Sequence, residues 1–223
     1  VGTQVTAAQS PQVDICFVVD TTGSMSDKIN ALIRCMTDFV GQLGRLNLDW
    51  RTTCVPFGDL TVRGDRIVSD LPFVNSVKAS QAQLRGMERF SGGGNTGESS
   101  IEAMQAGLRK AWRTRAVRVV VLLTDEPALR SKRAFEVNDE LTSQEAICFV
   151  ASPPHKYFQS WAHEHGGVWY EISARLETRQ LLNLLNGLVA DVARVAHEVH
   201  ALARGSVRSY LALPEASRRS LPR

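Results

Sequence analysis

At 223 residues the chain is long enough to bury one large α/β core and short for two domains. Its 43% hydrophobic and 22% charged residues are ordinary for a soluble globular protein. The net charge is only +3, lysine is confined to Lys28, Lys78, Lys110, Lys132 and Lys156, and no apolar run approaches the roughly 18–20 residues of a bilayer span. These features imply neither a nucleic-acid partner nor a membrane anchor.

The opening residues VGTQVTAAQSPQ lack a signal peptide's charged start and apolar middle. They also lack an initiating Met, so the start reads as cut or processed. Residues 1–12 are expected to form an arm. VDICFVVD (13–20) is a nearly continuous apolar run closed by an acid, which predicts a central parallel strand. Residues 25–44 place Ile29, Leu32, Ile33, Met36, Phe39, Val40 and Leu43 on one helical face. LDWRTTCVPFGD (48–59) predicts a second strand and IVSDLPF (67–73) a shorter third. A short helix is expected over 76–90, the loop SGGGNTG over 91–97, and a helix over 98–112 that buries Ile101, Met104, Leu108 and Ala111.

VRVVVLLTD (117–125) is the most apolar strand, again closed by an acid. A helix near 134–145, a strand at 146–152, a helix at 155–166 and a last strand at 168–172 follow. Residues 177–203 form a long helix with Leu181, Leu185, Leu188, Val192, Val195, Val199 and Leu202 in a stripe, read as core-facing because Leu182, Val189 and Ala196 widen it. The Arg-, Ser- and Pro-rich residues 204–223 read as a tail or linker. Strands alternating with helices imply a doubly wound, mostly parallel sheet covered on both faces, a Rossmann-like α/β fold. Ligands bind such sheets at the carboxyl ends of the strands. Cys16, Cys35, Cys54 and Cys148 form no CxxC pair and lie in apolar segments, so buried free thiols in a reducing compartment are expected.

The chemistry concentrates in three loops at that edge. Asp20, Thr22 and Ser24 follow the first strand at i, i+2 and i+4, with Gly23 letting the chain curl. Hard oxygen ligands at this spacing can converge on one small cation. Asp125 closes the 117–125 strand. The glycine loop brings Asn95, Thr96 and Glu98. Each piece has a plainer reading: Ser24 with Asp27, and Asn95 with Glu98, would serve as capping boxes for the helices that follow.

DICFVVDTTGSM, GGGNTGESSIEAM and VVVLLTDEP together resemble the three parts of the metal-ion-dependent adhesion site (MIDAS) of von Willebrand A domains and integrin inserted domains. The resemblance covers residues 13–203, including Gly166-Gly167 before the last strand. Asp20, Thr22 and Ser24 match its D-x-S/T-x-S element and Asp125 its third part. The second part departs from the pattern. Thr96 is its ligand by residue type, counting back from Ile101 places the usual Thr at Asn95, and NTGES resembles an integrin β-subunit loop in which a Glu, here Glu98, joins the metal.

The resemblance implies a non-enzymatic domain that holds Mg²⁺ (or Mn²⁺ or Ca²⁺) through Asp20, Thr22, Ser24, Thr96 and Asp125. An open coordination position would take an Asp or Glu carboxylate from a protein partner. Members inside cells often serve as scaffolds, and further domains in a longer chain are compatible with that role. The unpaired cysteines and missing signal suggest the cytoplasm, and the arginine bias a GC-rich bacterial genome. The enzyme alternative is a haloacid-dehalogenase-like phosphatase with Asp20 as nucleophile. It lacks an obviously placed Lys and a G-D-x-x-x-D element. HEH (163–165) and the HEVH pair His197 and His200 make poor zinc sites.

Overall fold

In a computed structural model, residues 10–45, 48–94, 97–172, 178–203 and 206–214 are described. Five strands, β1 (Gln12–Asp20), β2 (Asp49–Phe57), β3 (Val117–Leu123), β4 (Ala146–Ser152) and β5 (Trp169–Glu171), form one sheet in the order β2-β1-β3-β4-β5. Every pairing is parallel. The helices are α1 (Ser26–Leu43), α2 (Val77–Arg85), α3 (Ser100–Leu108), α4 (Ala134–Ser143), α5 (Lys156–Glu164), α6 (Thr178–Ala203) and α7 (Val207–Leu211).

The alternation of side chains along β1 explains the layers. Ile15, Phe17 and Val19 enter a core shared with Phe39, Val40 and Leu43 of α1 and Val192, Val195 and Val199 of α6. Cys16 and Val18 enter the opposite core, with Ile101, Met104 and Leu108 of α3, Val137 of α4 and Trp161 of α5. Both faces of β1 are thus covered, which is why its sequence is a continuous apolar run. Asp14 interrupts that run at full burial and is paired: Arg51 Nε and Arg113 Nε donate to Oδ1 at 3.0 and 2.9 Å.

The expected strand at 67–73 does not form. Only isolated antiparallel bridges, Phe57↔Ile67 and Thr52↔Val74, flank the outer edge of β2. Between them side chains take the place of a ladder: Thr53 Oγ1 donates to the Leu71 carbonyl at 2.9 Å, and Lys110 Nζ donates to the carbonyls of Ser69 and Leu71. Pro72 has no N–H to offer.

The expected tail also differs over 206–214. Ser206 Oγ caps α7 by accepting from Ser209 N, and Val207 and Tyr210 are buried. Tyr210 Oη donates at 2.6 Å to Glu198, a fully buried carboxylate that also pairs with Arg194. Two apolar anchors and a satisfied buried charge hold this segment on the domain. Residues 1–9 of the arm, 215–223 of the tail, and the side chains of Leu32, Leu181, Leu182, Leu185 and Val189 lie outside the described residues. Cys16, Cys54 and Cys148 are buried free thiols.

Candidate metal centre

The sheet order places β2 and β3 on either side of β1, so the connections leaving β1 and β3 diverge at their carboxyl ends. A doubly wound sheet leaves a crevice at this reversal. Asp20 ends β1 there, and Thr124-Asp125 follows β3.

Backbone hydrogen bonds lock three loops around the crevice. Thr21 N donates to the Phe57 carbonyl, Phe90 N to the Thr21 carbonyl, and Gly23 N to the Ser91 carbonyl at 3.3 Å. A Cβ on Gly23 would stand 2.9 Å from that Ser91 oxygen, so only glycine lets the first loop approach so closely. The third loop is tied to the glycine loop by Glu98 N to the Pro127 carbonyl and Leu129 N to the Glu98 carbonyl. Gly97, with φ +146, makes the turn into this junction.

The side chains of four expected ligands are directly linked. Asp20 Oδ1 accepts from Thr22 N at 3.0 Å and Thr22 Oγ1 at 2.6 Å, and Thr124 Oγ1 donates to Asp20 Oδ2 at 2.7 Å. Ser24 Oγ donates to Asp125 Oδ1 at 2.9 Å across 101 positions of sequence. Thr22 Oγ1 and Ser24 Oγ lie 3.3 Å apart. When both hydroxyl protons point at carboxylates, the remaining lone pairs converge between them. Asp20 and Thr22 are buried, Asp125 is 5% exposed, and Ser24 faces solvent. The site is therefore closed at the back and open at the front.

The capping reading of Ser24 gives way here. A 3-10 turn at Gly23–Met25 leads into α1, whose N-cap is Met25, with no side-chain cap bond at either start. Ser24 spends its hydroxyl on Asp125 instead. Asn95 and Thr96 lie outside the described residues, so of Asn95, Thr96 and Glu98 only Glu98 is placed. Glu98 is 4% exposed, and its Oε2 accepts no hydrogen bond. The sequence offered one cue to this: an acid directly after the glycine loop, where a cap would have been exposed.

Electrostatics mark the corner as anion-rich. Burial pushes the Asp20 carboxyl up to about 6, against the pull of hydrogen bonds from Thr22 and Thr124. Burial pushes Glu98 up to about 8, and the charges of Asp20, Asp59 and Asp65 push the same way. A cation would relieve all of these. Among the described residues no three His, Cys, Asp or Glu side chains converge on one point. An ion would thus be held by carboxylates mixed with hydroxyls and water, the donor set that hard divalent cations take. The residues present fit such an ion. The histidines do not form a second centre: His165 is buried against Asn138 Oδ1 at 2.9 Å, while His163 and His200 are exposed.

Fold and crevice together define a doubly wound α/β domain with an oxygen-donor cluster where its sheet reverses direction. The chain belongs to the von Willebrand factor type A domain family, whose model matches residues 14–152. No curated protein matches it. Among solved structures, it is similar to proximal thread matrix protein 1 from the mussel byssus, determined with a zinc-occupied MIDAS motif. The TM-score is 0.60 and the identity 17%, over 82% of this chain and 46% of that one. This chain thus spans less than half the length of that protein, and the likeness is one of fold.

Proposed function

We propose that the domain binds a divalent cation through Asp20, Thr22, Ser24 and Asp125, with Thr96 as the ligand from the glycine loop, and presents it to a protein partner. The partner supplies an Asp or Glu carboxylate to the open position. The observation that carries this is the Ser24–Asp125 hydrogen bond, which joins two distant loops at an exposed corner backed by the buried Asp20–Thr22 pair. Mg²⁺ is the expected ion, with Mn²⁺ or Ca²⁺ as substitutes. Mg²⁺ prefers six oxygens and keeps water where protein ligands run short. Two aspartates roughly neutralise the ion, so an incoming carboxylate is attracted. The zinc of the byssus protein supports a divalent ion at such a site without choosing among metals.

Binding rather than catalysis is favoured by what surrounds Asp20. Both its oxygens accept hydrogen bonds and it has no exposure, so it is poorly placed as a nucleophile. A phosphotransferase would also need a cation such as Lys beside it. Lys110 is committed to the carbonyls of Ser69 and Leu71, and Lys132 is exposed. A cytoplasmic, bacterial scaffold is the setting we propose, supported by the buried free thiols and arginine-rich composition. Among the described residues no helix is long and apolar enough to cross a membrane.

Water-proton relaxation by bound Mn²⁺ tests the proposal without knowing the partner. An open site gives strong enhancement, which a peptide bearing one aspartate should reduce and its asparagine counterpart should not. Enhancement unchanged by Asp125→Ala would remove the site.

A further inference from the structure

Of the acids around the metal corner, Asp59, Glu98 and Asp125 are buried, and Asp65 is turned onto the N–H groups of Asp59, Ser91 and Gly92. Glu88, an exposed acid of this edge, is paired with Arg66. Several cations are left over. Arg63 follows β2, Arg89 precedes the Phe90 whose N–H is tied to Thr21, and Lys132 lies in the turn before α4. All three are exposed, and among the described residues none of them forms an ion pair. Arg89 reaches only Asn30 Oδ1, at 3.5 Å, and partial burial pushes its guanidinium down.

The same edge carries exposed apolar side chains. Among the described residues the exposed large hydrophobics are Leu60 at 44%, Phe135 at 62% and Leu202 at 37%, and the first two lie on the segments that leave β2 and β3. Hydrogen bonds fix their order along the edge. Leu60 N donates to Ser99 Oγ at 2.9 Å, Glu98 exchanges backbone hydrogen bonds with Pro127 and Leu129, and Arg130 and Arg133 pair with Glu102 in the first turn of α3. Leu60, the exit of the glycine loop and the start of α4 thus form one strip beside the corner that holds Asp125.

One unpaired surface cation is well solvated and says little. Cations on separate loops around a site that accepts an anion add up to one field, which draws in and orients a partner with several negative charges. Exposed aromatic and aliphatic side chains beside them give a protein partner apolar surface to bury. A phosphate backbone has nothing to bury there. Resting on the reading that a partner carboxylate enters the metal's open position, we infer that the partner is an acidic protein segment. Further Asp or Glu side chains flank the metal-bound carboxylate and reach Arg63, Arg89 and Lys132, while an apolar side chain among them is buried against Leu60 or Phe135. These residues select among partners, a task the metal alone does not perform, because any exposed Asp or Glu would satisfy it.

Fluorescence anisotropy on the whole chain in saturating Mg²⁺ tests it with labelled peptides. One has a central Asp flanked by Glu and by Leu and Phe, a second has the same Asp among Ser and Gly, and a third is the first with its central Asp replaced by Asn. The acidic apolar peptide should bind about tenfold more tightly than the isolated Asp peptide, from a few exposed ion pairs acting together. Raised salt should erode the difference. Arg63→Ser with Arg89→Ser and Lys132→Ser should abolish most of it, yet bind Mg²⁺ at least as tightly, because cations beside the ion repel it. Leu60→Ser with Phe135→Ser should lower it without changing its salt dependence. Equal affinity of the wild type for the first two peptides overturns the inference, as does an advantage that survives in the folded triple variant. Lys132→Glu, at an exposed position, repeats that test if circular dichroism shows the triple variant unfolded. A single-stranded oligonucleotide binding as tightly as the acidic peptide also overturns it, in favour of unselective capture of polyanions. Acidic-peptide binding that persists in EDTA and with the Asn peptide, but falls in the triple variant, upholds the acidic partner and removes the metal reading instead.

Discussion

Removing metal should make this domain lose stability as the pH rises through the range where Asp20 ionises. The carboxyl is pushed up by burial, from 3.8 to about 6. A raised carboxyl binds its proton more tightly in the folded state. Its contribution is therefore fully present below pH 3.8 and is lost as pH rises through about 6. The rise from 3.8 to about 6 corresponds to about 3 kcal/mol. Glu98 pushes in the same direction, with its loss extending to about pH 8. Asp49, Glu136 and Glu164, held below the usual range by hydrogen bonds from Arg113, Arg133 and Ser160, act oppositely at lower pH. The clean measurement is therefore a difference. Urea unfolding in EDTA, at intervals from pH 4 to 7.5, would compare the wild type with Asp20→Asn. The variant cannot ionise there, so its advantage should grow by about 3 kcal/mol across the window. Saturating Mg²⁺ should cancel the wild-type loss, because the ion binds the ionised folded form. A difference that stays flat with pH in EDTA would refute the claim that Asp20 is a buried acid awaiting a cation.

Asp20→Ala and Asp125→Ala should each abolish calorimetric Mg²⁺ binding while leaving the circular dichroism of the fold intact; binding retained in both would remove the ligand assignment. Thr96→Ala should weaken that binding more than Asn95→Ala or Glu98→Ala, and a larger effect at either would move the loop ligand there. Gly97→Ala forces a side chain into φ +146 with its Cβ 3.1 Å from the Pro127 carbonyl oxygen. It should cost about 2 kcal/mol, a fall of about 4–8 °C in melting temperature for a domain of this size, and weaken Mg²⁺ affinity as well; an unchanged melt would show that the loops do not depend on this turn. Tyr210→Phe strips a donor from buried Glu198 and should cost about 1–3 kcal/mol by chemical denaturation. No loss there would mean that α7 is dispensable to the domain.

Much of the architecture was legible in the order of residues because burial on two faces leaves a plain mark. β1, β3 and β4 are short, nearly continuous apolar runs, and no amphipathic element could produce them. Asp20 and Asp125 were conspicuous for the same reason, as acids ending strands that bury everything else. The Asp20-x-Thr22-x-Ser24 spacing carried its own chemistry, since a turn after a strand brings alternate oxygens together. The segment 67–73 misled because its apolar residues do not reveal that the carbonyls of Ser69 and Leu71 are answered by the side chains of Thr53 and Lys110 in place of a strand ladder. Residues 207–211 misled because an arginine- and serine-rich composition hid two anchors, Val207, which joins the apolar core, and Tyr210, whose hydroxyl reaches the buried Glu198. Nothing in the sequence ties Asp59 to Glu98, 39 positions away, although both are buried in the same corner. Local sequence determined which segments could be buried strands and helices and which oxygens the first loop would offer. Only the tertiary structure decided which acids share a corner and which find an arginine, because charge pairing depends on distances that chain separation does not encode.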